Sequence, residues 1–328
     1  MARAADRPVV AVTSSFDRAA VPEDLADRLH LRWAPPVGDA RPLWTVLDEQ
    51  TLREARAVVV ELASVDEDTL GRAPSLEAVI VCRGTPSNVD LEACRRRGIP
   101  VLTTPGRNAA ATADLTLALI ISAVRRVDEA ERWIRSGAWS PDDQYYPYDE
   151  FRGPQLADLT LGIVGLGAVG REVARRALAF GLRTLAYGPH LTASNAPAGV
   201  EVAPLDEVLR LSDIVTLHAP GGTATAGLIG SDELARMRSG AVLVNAARAS
   251  LVDEGAVLES LRSGHLAAAA FDVFWTEPPA ADHPLLHLPR VVVTPHIGGA
   301  SDSVIGNHSR AAVAHLVRWL AERETPVG

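Results

Sequence analysis

From Leu161 to His296 the chain alternates short apolar runs with amphipathic ones: "TLGIVGLG", "AVGREVARRALAFG", "RTLAYG", "PLDEVLRLS", "DIVTLHAP", "SDELARMRSG", "AVLVNAA", "DEGAVLESLRSG", "LAAAAFDVF" and "RVVVTPH". Runs that are apolar throughout, not at every second residue, read as strands buried on both faces, and parallel sheets are the sheets covered that way. The intervening runs read as crossover helices. In "SDELARMRSG", Ser231 and Glu233 suit a capped first turn. The series therefore predicts a doubly wound, parallel-sheet α/β domain.

A less regular series precedes it. "PVVAVTSS" (8–15), "ARAVVVEL" (55–62), "LEAVIVC" (76–82) and "IPVLTT" (99–104) read as strands, and "VDLEACRRRG" (89–98) as a short helix ended by Gly98. Residues 108–137 read as one long helix and "WSPDDQYYPYDEFRGPQLAD" as a loop, with "SDSVIGNHSRAAVAHLVRWLAER" as a closing helix. A chain of 328 residues exceeds one ordinary core, so two domains are expected. The net charge of −9 argues against nucleic acid as a partner, since phosphate binding needs concentrated Lys and Arg. Two cysteines, Cys82 and Cys94, make no disulfide framework and point to a reducing compartment. No secretory-type apolar stretch opens the chain and no run approaches the ~18 apolar residues of a membrane span. A cytoplasmic location without membrane contact is expected.

Gly165, Gly167 and Gly170 form G-x-G-x-x-G between a strand and a helix, the context in which this pattern signals a dinucleotide. The first glycine permits the tight turn, the second lets backbone approach a pyrophosphate, and the third lets helix and strand pack closely. The helix N-terminus adds free N–H groups and partial positive charge. A ribose-binding carboxylate should follow at the end of the next strand. That position is Gly188, and no Asp or Glu occurs between Glu172 and Glu201. No Arg or Lys follows closely either; His190, Thr192 and Asn195 are the nearest polar residues. The choice between NAD and NADP is left open, with relaxed selectivity favoured.

Six ordered motifs resemble the D-isomer-specific 2-hydroxyacid dehydrogenases, in their phosphoglycerate-dehydrogenase-like branch. They are "NVDLEACRRRGIPVLTTPGRNAAATADLTLALI" (88–120), "TLGIVGLGAVG" (160–170), "DIVTLHAP" (213–220), "VLVNAARASLVDEGAV" (242–257), "AFDVFWTEPP" (270–279) and "VVVTPHIGGAS" (291–301). The resemblance implies two Rossmann-like domains. A cofactor domain (106–297) is inserted in a flavodoxin-like substrate domain (1–105 with 298–328), with hinges near Pro105 and after His296.

It also implies catalytic roles for Arg248, Glu277 and His296. A guanidinium binds the carboxylate of a 2-hydroxy acid in a charge-assisted fork. Imidazole is the natural acid–base near neutrality, and a carboxylate on its other nitrogen fixes the tautomer. Besides the three glycines, Ala168, Val169, Gly188, His190, His218, Ala219, Pro220, Ala246, Asp272, His296 and Gly298 match the cofactor cleft, Asp272 as the residue facing the nicotinamide amide. No metal is implied.

Ahead of "NVD" lies the family's substrate loop, here "VCRGTPS" (81–87). Gly84 and Thr85 keep backbone donors for a carboxylate, and Arg83 adds a cation that, with Arg248 and His296, suits a second anionic group on the substrate. Trp139 and Tyr146 fall where relatives form a dimer contact, and a homodimer is expected. Three functions are consistent with these residues: a dehydrogenase of small anionic 2-hydroxy or 2-oxo acids, an oxidoreductase of another anionic donor such as a hydrated aldehyde, and a dinucleotide-sensing module. The sequence does not name the substrate, the direction of reaction or the cofactor.

Overall fold

The computed structural model describes residues 7–140, 142 and 144–324. The chain divides into two units, Met1–Arg107 with Ser301–Gly328, and Asn108–Ala300.

The first unit holds β1 (Val9–Val12), α1 (Glu23–Ala26), β2 (His30–Trp33), α2 (Glu49–Glu54), β3 (Ala55–Val60), α3 (Glu67–Arg72), β4 (Ala78–Val81), α4 (Leu91–Arg96) and β5 (Val101–Thr103). Its five strands run parallel in the order β2-β1-β3-β4-β5. Alternate residues of the valine-rich strands serve opposite faces. Val58, Val60, Val79 and Val81 pack with Leu52 and Leu70. Val10, Val12, Val59 and Ile80 pack with Ala312, Leu316 and Leu320 of the last helix, which returns to this unit. Asp48, Asp66 and Asp90 each accept a hydrogen bond from the third amide of the helix that follows, at 2.8, 2.8 and 2.9 Å. Such caps are worth about 1 kcal/mol apiece.

The second unit holds α5 (Ala109–Arg125), α6 (Val127–Arg135), α7 (Tyr146–Glu150), β6 (Thr160–Val164), α8 (Ala168–Ala179), β7 (Arg183–Tyr187), β8 (Val200–Val202), α9 (Leu205–Leu211), β9 (Ile214–Leu217), α10 (Ser231–Arg236), β10 (Ala241–Asn245), α11 (Glu254–Arg262), β11 (Leu266–Phe271) and β12 (Val291–Val293). The closing helix of the chain, α12, is Asp302–Glu324. Seven parallel strands lie in the order β12-β11-β10-β9-β6-β7-β8. On one face Ile163, Val242, Val244, Ala268 and Ala270 meet Ile120 of α5 and Val173 of α8. On the other Val164, Leu243, Ala269 and Phe271 meet Leu209, Leu234 and Val257. The fully buried Phe271 alone removes apolar surface worth about 2–3 kcal/mol from water. The whole is the doubly wound parallel architecture that the alternating series predicts.

Four local expectations are corrected. The helix over 108–137 breaks at Arg126, whose φ is 53°. Its guanidinium donates to Glu129 and to the side chain and carbonyl of Glu150, which fixes the turn between α5 and α6. The "WSPDD" stretch is not all loop, since it contains α7; Pro141 and Asp143 lie outside the described residues. In α10 the cap position is Gly230, whose amide donates to Glu233 at 3.1 Å, and Ser231 is already helical. Strands β2 and β8, absent from the sequence reading, are short sheet edges that are partly exposed, so they lack the fully apolar run that marks the interior strands. Among the described residues no helix is long and apolar enough to cross a membrane, and no group of three or more His, Cys, Asp or Glu is arranged to hold a metal ion.

Candidate active site

In the second unit, the C-terminal ends of parallel strands carry the loops of interest, the edge at which open α/β sheets bind ligands. The glycine loop follows β6. Gly165 has φ +99°, and a Cβ there would come 2.6 Å from the amide nitrogen of Ala219. A Cβ on Gly170 would lie 2.2 Å from the Gly165 carbonyl oxygen. The fold itself therefore requires these two glycines. Gly167 is different: it is exposed, has an ordinary negative φ of −75°, and a Cβ would meet nothing within 4 Å. Neither the turn nor the packing accounts for it, whereas a ligand lying against its backbone would. Gly167 is also the N-cap of α8 and offers no side-chain cap, so the first amides of a twelve-residue helix, those of Ala168, Val169 and Gly170, are left to an outside acceptor. These residues fit a dinucleotide pyrophosphate.

Gly188 ends β7 beside this loop; the Tyr187 carbonyl accepts from the Gly165 amide at 2.8 Å. His190 is exposed beyond it. His218, at the end of β9, is held by Thr216 Oγ1 2.9 Å from its Nε2, and burial pushes its imidazole down to about 3, so it is neutral at working pH. Ala219 is half-buried and Pro220 exposed in the same segment.

Arg248 sits on the turn after β10. That turn is tied by Asn245, fully buried, whose Nδ2 donates to the Arg248 carbonyl at 2.9 Å and whose Oδ1 accepts from the Ala247 amide at 3.1 Å. Gly221 lets the stem of Arg248 lie close: a Cβ at 221 would be 2.9 Å from Arg248 Cγ. The guanidinium donates one hydrogen bond to the Ala247 carbonyl at 2.6 Å and is otherwise exposed. Arginine carries five N–H donors, so a bidentate face is still available to an anion.

Glu277 follows β11. Its Oε1 accepts from the Phe274 amide at 3.0 Å, and its Oε2 lies 2.7 Å from His296 Nδ1. Partial burial opposes ionisation, but the hydrogen bonds from His296 and Phe274, with the charges of His296 and Arg248, outweigh it and hold the carboxyl below the usual carboxylate range. An ionised carboxylate only accepts, so Nδ1 carries the proton and Nε2 is the nitrogen left to exchange one. His296 itself has φ 54°, an unusual conformation for a residue with a side chain, held in place by the loop around it. Arg248, Glu277 and His296 line one open cleft of about 330 Å³ with Ser250, Phe274 and Trp275.

Asp272 is not at this cleft's surface. It is 1% exposed, and its oxygens accept from Thr294 Oγ1 at 2.6 Å and from the amides of Ile297 and Gly298 at 2.8 and 2.7 Å. All of these partners belong to the loop that carries His296, so Asp272 anchors that loop from beneath. Ala246 and Gly298 are likewise buried. Arg83, Gly84 and Thr85 belong to the first unit, on the loop after β4; Arg83 is half-buried and the other two are exposed. Asn245 and Trp275 escaped the sequence reading. Trp275 donates Nε1 to the Val252 carbonyl at 3.0 Å and stacks on His283. A buried amide side chain at a strand end, one turn before the arginine, is the signal that would have marked Asn245.

Residues 117–298 match the family described as D-isomer specific 2-hydroxyacid dehydrogenase, NAD binding domain. The chain is 37% identical over 315 residues to D-3-phosphoglycerate dehydrogenase of Mycobacterium leprae, covering 95% of this chain and 57% of that one. It spans about half the length of the curated phosphoglycerate dehydrogenases it matches. Among solved structures it is similar to the TT0316 protein of Thermus thermophilus, at 36% identity, a TM-score of 0.79 and coverage of 97% of this chain and 98% of that one. D-lactate dehydrogenase from Aquifex aeolicus, solved with NAD and lactic acid, superposes with a TM-score of 0.72 at 26% identity, covering 96% of each chain. The chain belongs to the D-isomer-specific 2-hydroxyacid dehydrogenase family, in its phosphoglycerate-dehydrogenase-like branch.

Proposed function

We propose that the protein is an NAD(P)-dependent oxidoreductase that interconverts a small anionic 2-hydroxy acid and its 2-oxo acid. The observation that carries this reading is the 2.7 Å pair of His296 and Glu277 on the same cleft as the exposed guanidinium of Arg248. A bound nicotinamide cofactor supplies or takes the hydride at C2. Arg248 binds the substrate carboxylate and draws electron density from the 2-oxo oxygen. In the reducing direction His296 Nε2 delivers a proton to that oxygen, and in the oxidising direction it accepts the hydroxyl proton. Glu277 holds Nδ1–H, sets the tautomer and stabilises the imidazolium that forms on oxidation. We assign Arg83 to a second anionic group on the substrate.

The test is a spectrophotometric screen of 2-oxo acids, phosphorylated ones included, with each reduced cofactor, against a His296→Ala control. Turnover of at least one acid that the control abolishes supports the proposal. Tight dinucleotide binding with no turnover of any acid points instead to a sensing module. Charge removal in Arg83→Gln should raise KM for a doubly anionic acid more than for a small monoanion; equal effects would remove the second-anion assignment.

We propose also that the protein is a cytoplasmic homodimer. The support for the dimer is an exposed apolar patch around α6 and α7, where Ile134 and Trp139 are each 49% exposed beside Trp133, Tyr146 and Phe151. Interfaces are enriched in such aromatics. Sedimentation of the intact chain as a monomer at micromolar concentration would refute it.

A further inference from the structure

The ribose end of the dinucleotide cradle departs from an NAD-selective one. Gly188 occupies the position of the ribose carboxylate, and no Asp or Glu lies between Glu172 and Glu201. The fold does not demand that glycine. Its φ is not in the left-handed region, and a Cβ would meet only Leu191 Cβ at 3.4 Å and the Leu166 amide nitrogen at 3.9 Å, ordinary contacts. A carboxylate side chain is thus absent from a place that could hold one.

A cation reaches the same end from the neighbouring helix. Arg171, on α8 directly after the last glycine of the loop, donates Nη1 to the Asn195 carbonyl at 2.9 Å. Asn195 closes the turn that follows Gly188: its Oδ1 accepts from the Thr192 amide at 3.0 Å, its Nδ2 donates to the His190 carbonyl at 3.0 Å, and the Leu191 amide donates to the Gly188 carbonyl at 3.1 Å. The other arginines of the helix are engaged otherwise, Arg175 with Glu172 and Arg176 with Glu172 and Asp114. Among the described residues Arg171 forms no ion pair, and it is exposed. A guanidinium oriented by a carbonyl, with no carboxylate to neutralise it, is suited to a dianionic phosphate.

Resting on the dehydrogenase reading above, we propose that this site accepts the 2′-phosphate of NADP(H), with Arg171 as its ligand, and binds NADPH at least as tightly as NADH. Removing a carboxylate lifts the repulsion that excludes the phosphate, and Arg171 supplies the attraction.

The experiment measures dissociation constants of NADH and NADPH for the full chain by calorimetry, with Arg171→Gln and Gly188→Asp in parallel. NADPH should bind as tightly as NADH or more tightly. Arg171→Gln should weaken NADPH about tenfold or more, the loss of a charge-assisted contact, and change NADH less than about twofold. Gly188→Asp should tighten NADH and weaken NADPH. Binding of NADH with NADPH weaker by more than about threefold in the parent would overturn the inference and leave the dehydrogenase reading standing. Equal effects of Arg171→Gln on both cofactors would overturn the role of Arg171. Failure of both cofactors to bind would overturn the dinucleotide reading itself, and this inference with it.

Discussion

Asp272 Oδ2 lies 2.7 Å from the amide of Gly298, and a side chain at Gly298 would press within 3.0 Å of the same oxygen. The carboxylate and the bare backbone fit each other. Together with Thr294 and Ile297 they set where the intervening residue, His296, can point. The Asp272 carboxylate thus fastens the loop that carries His296.

Asp272→Asn keeps the volume but replaces one acceptor oxygen by a donor facing an N–H. The cost should be about 2 kcal/mol, the penalty of unpaired buried groups. Urea denaturation should show the lower midpoint, and turnover should fall with it because the His296 loop loosens. An unchanged midpoint would contradict the anchoring role.

Glu277→Gln should lower kcat by about a hundredfold, since the charge that stabilises the imidazolium is gone while the shape stays. Cofactor affinity, read by fluorescence titration, should be unchanged. The Glu277 carboxyl is held below its usual range, so its ionised, bonded state contributes to stability above the unfolded value near 4.3 and is lost as pH falls through the lower folded value. A kcat within twofold of the parent would count against the pair as the proton-handling unit.

The glycine loop separates fold from ligand in a pair of variants. Gly170→Ala drives a methyl into the Gly165 carbonyl and should destabilise the protein by about 2 kcal/mol or more. Gly167→Ala meets nothing and should leave the melting temperature within a degree or two while weakening dinucleotide binding. If Gly167→Ala binds both cofactors as the parent does, the open space at that glycine is not where the pyrophosphate lies.

In the first unit, His308 is fully buried, with Nε2 2.6 Å from the Ser15 carbonyl and Nδ1 2.9 Å from Arg107 Nη1, which also pairs with Glu61 at 3.0 Å. A carbonyl cannot donate, so Nε2 carries the proton and Nδ1 accepts from the guanidinium. Burial, aided by Arg107, lowers the imidazole from its ordinary range. The unfolded chain then binds the proton first as pH falls, so stability is full above about 6.5 and declines below it. Urea midpoints at pH 7.5 and 5 should differ less in His308→Gln, which keeps a donor and an acceptor without titrating. His218, also lowered, continues to titrate in both proteins. Equal pH dependence in the two would rule His308 out as a contributor.

Much of the architecture was written in local pattern. Interior strands such as β3, β6 and β10 are buried over most of their length, so each carries an unbroken apolar run (Ala57–Val60, Leu161–Val164 and Ala241–Val244) that is visible in the sequence. The glycine loop was equally legible, because a tight turn restricts residue type at each position; Arg248, Glu277 and His296 were reached through the likeness to a family, and the structure brings the three to one cleft. Edge strands β2 and β8 were not, since one side of each meets solvent and the pattern dissolves. The break at Arg126 was hidden as well: it depends on Glu150, 24 residues away, and no local propensity predicts it.

By itself, then, the chain determined which segments become the buried strands of parallel sheets, because burial acts on residue type one position at a time, and its motifs marked the family to which it belongs. Tertiary structure alone decided that Asp272 fastens a loop, that Gly167 faces open space while Gly170 does not, and that Arg171 reaches the turn beyond Gly188. Each of those depends on a distance between segments far apart in the chain, and such distances exist only once the helices and strands have packed.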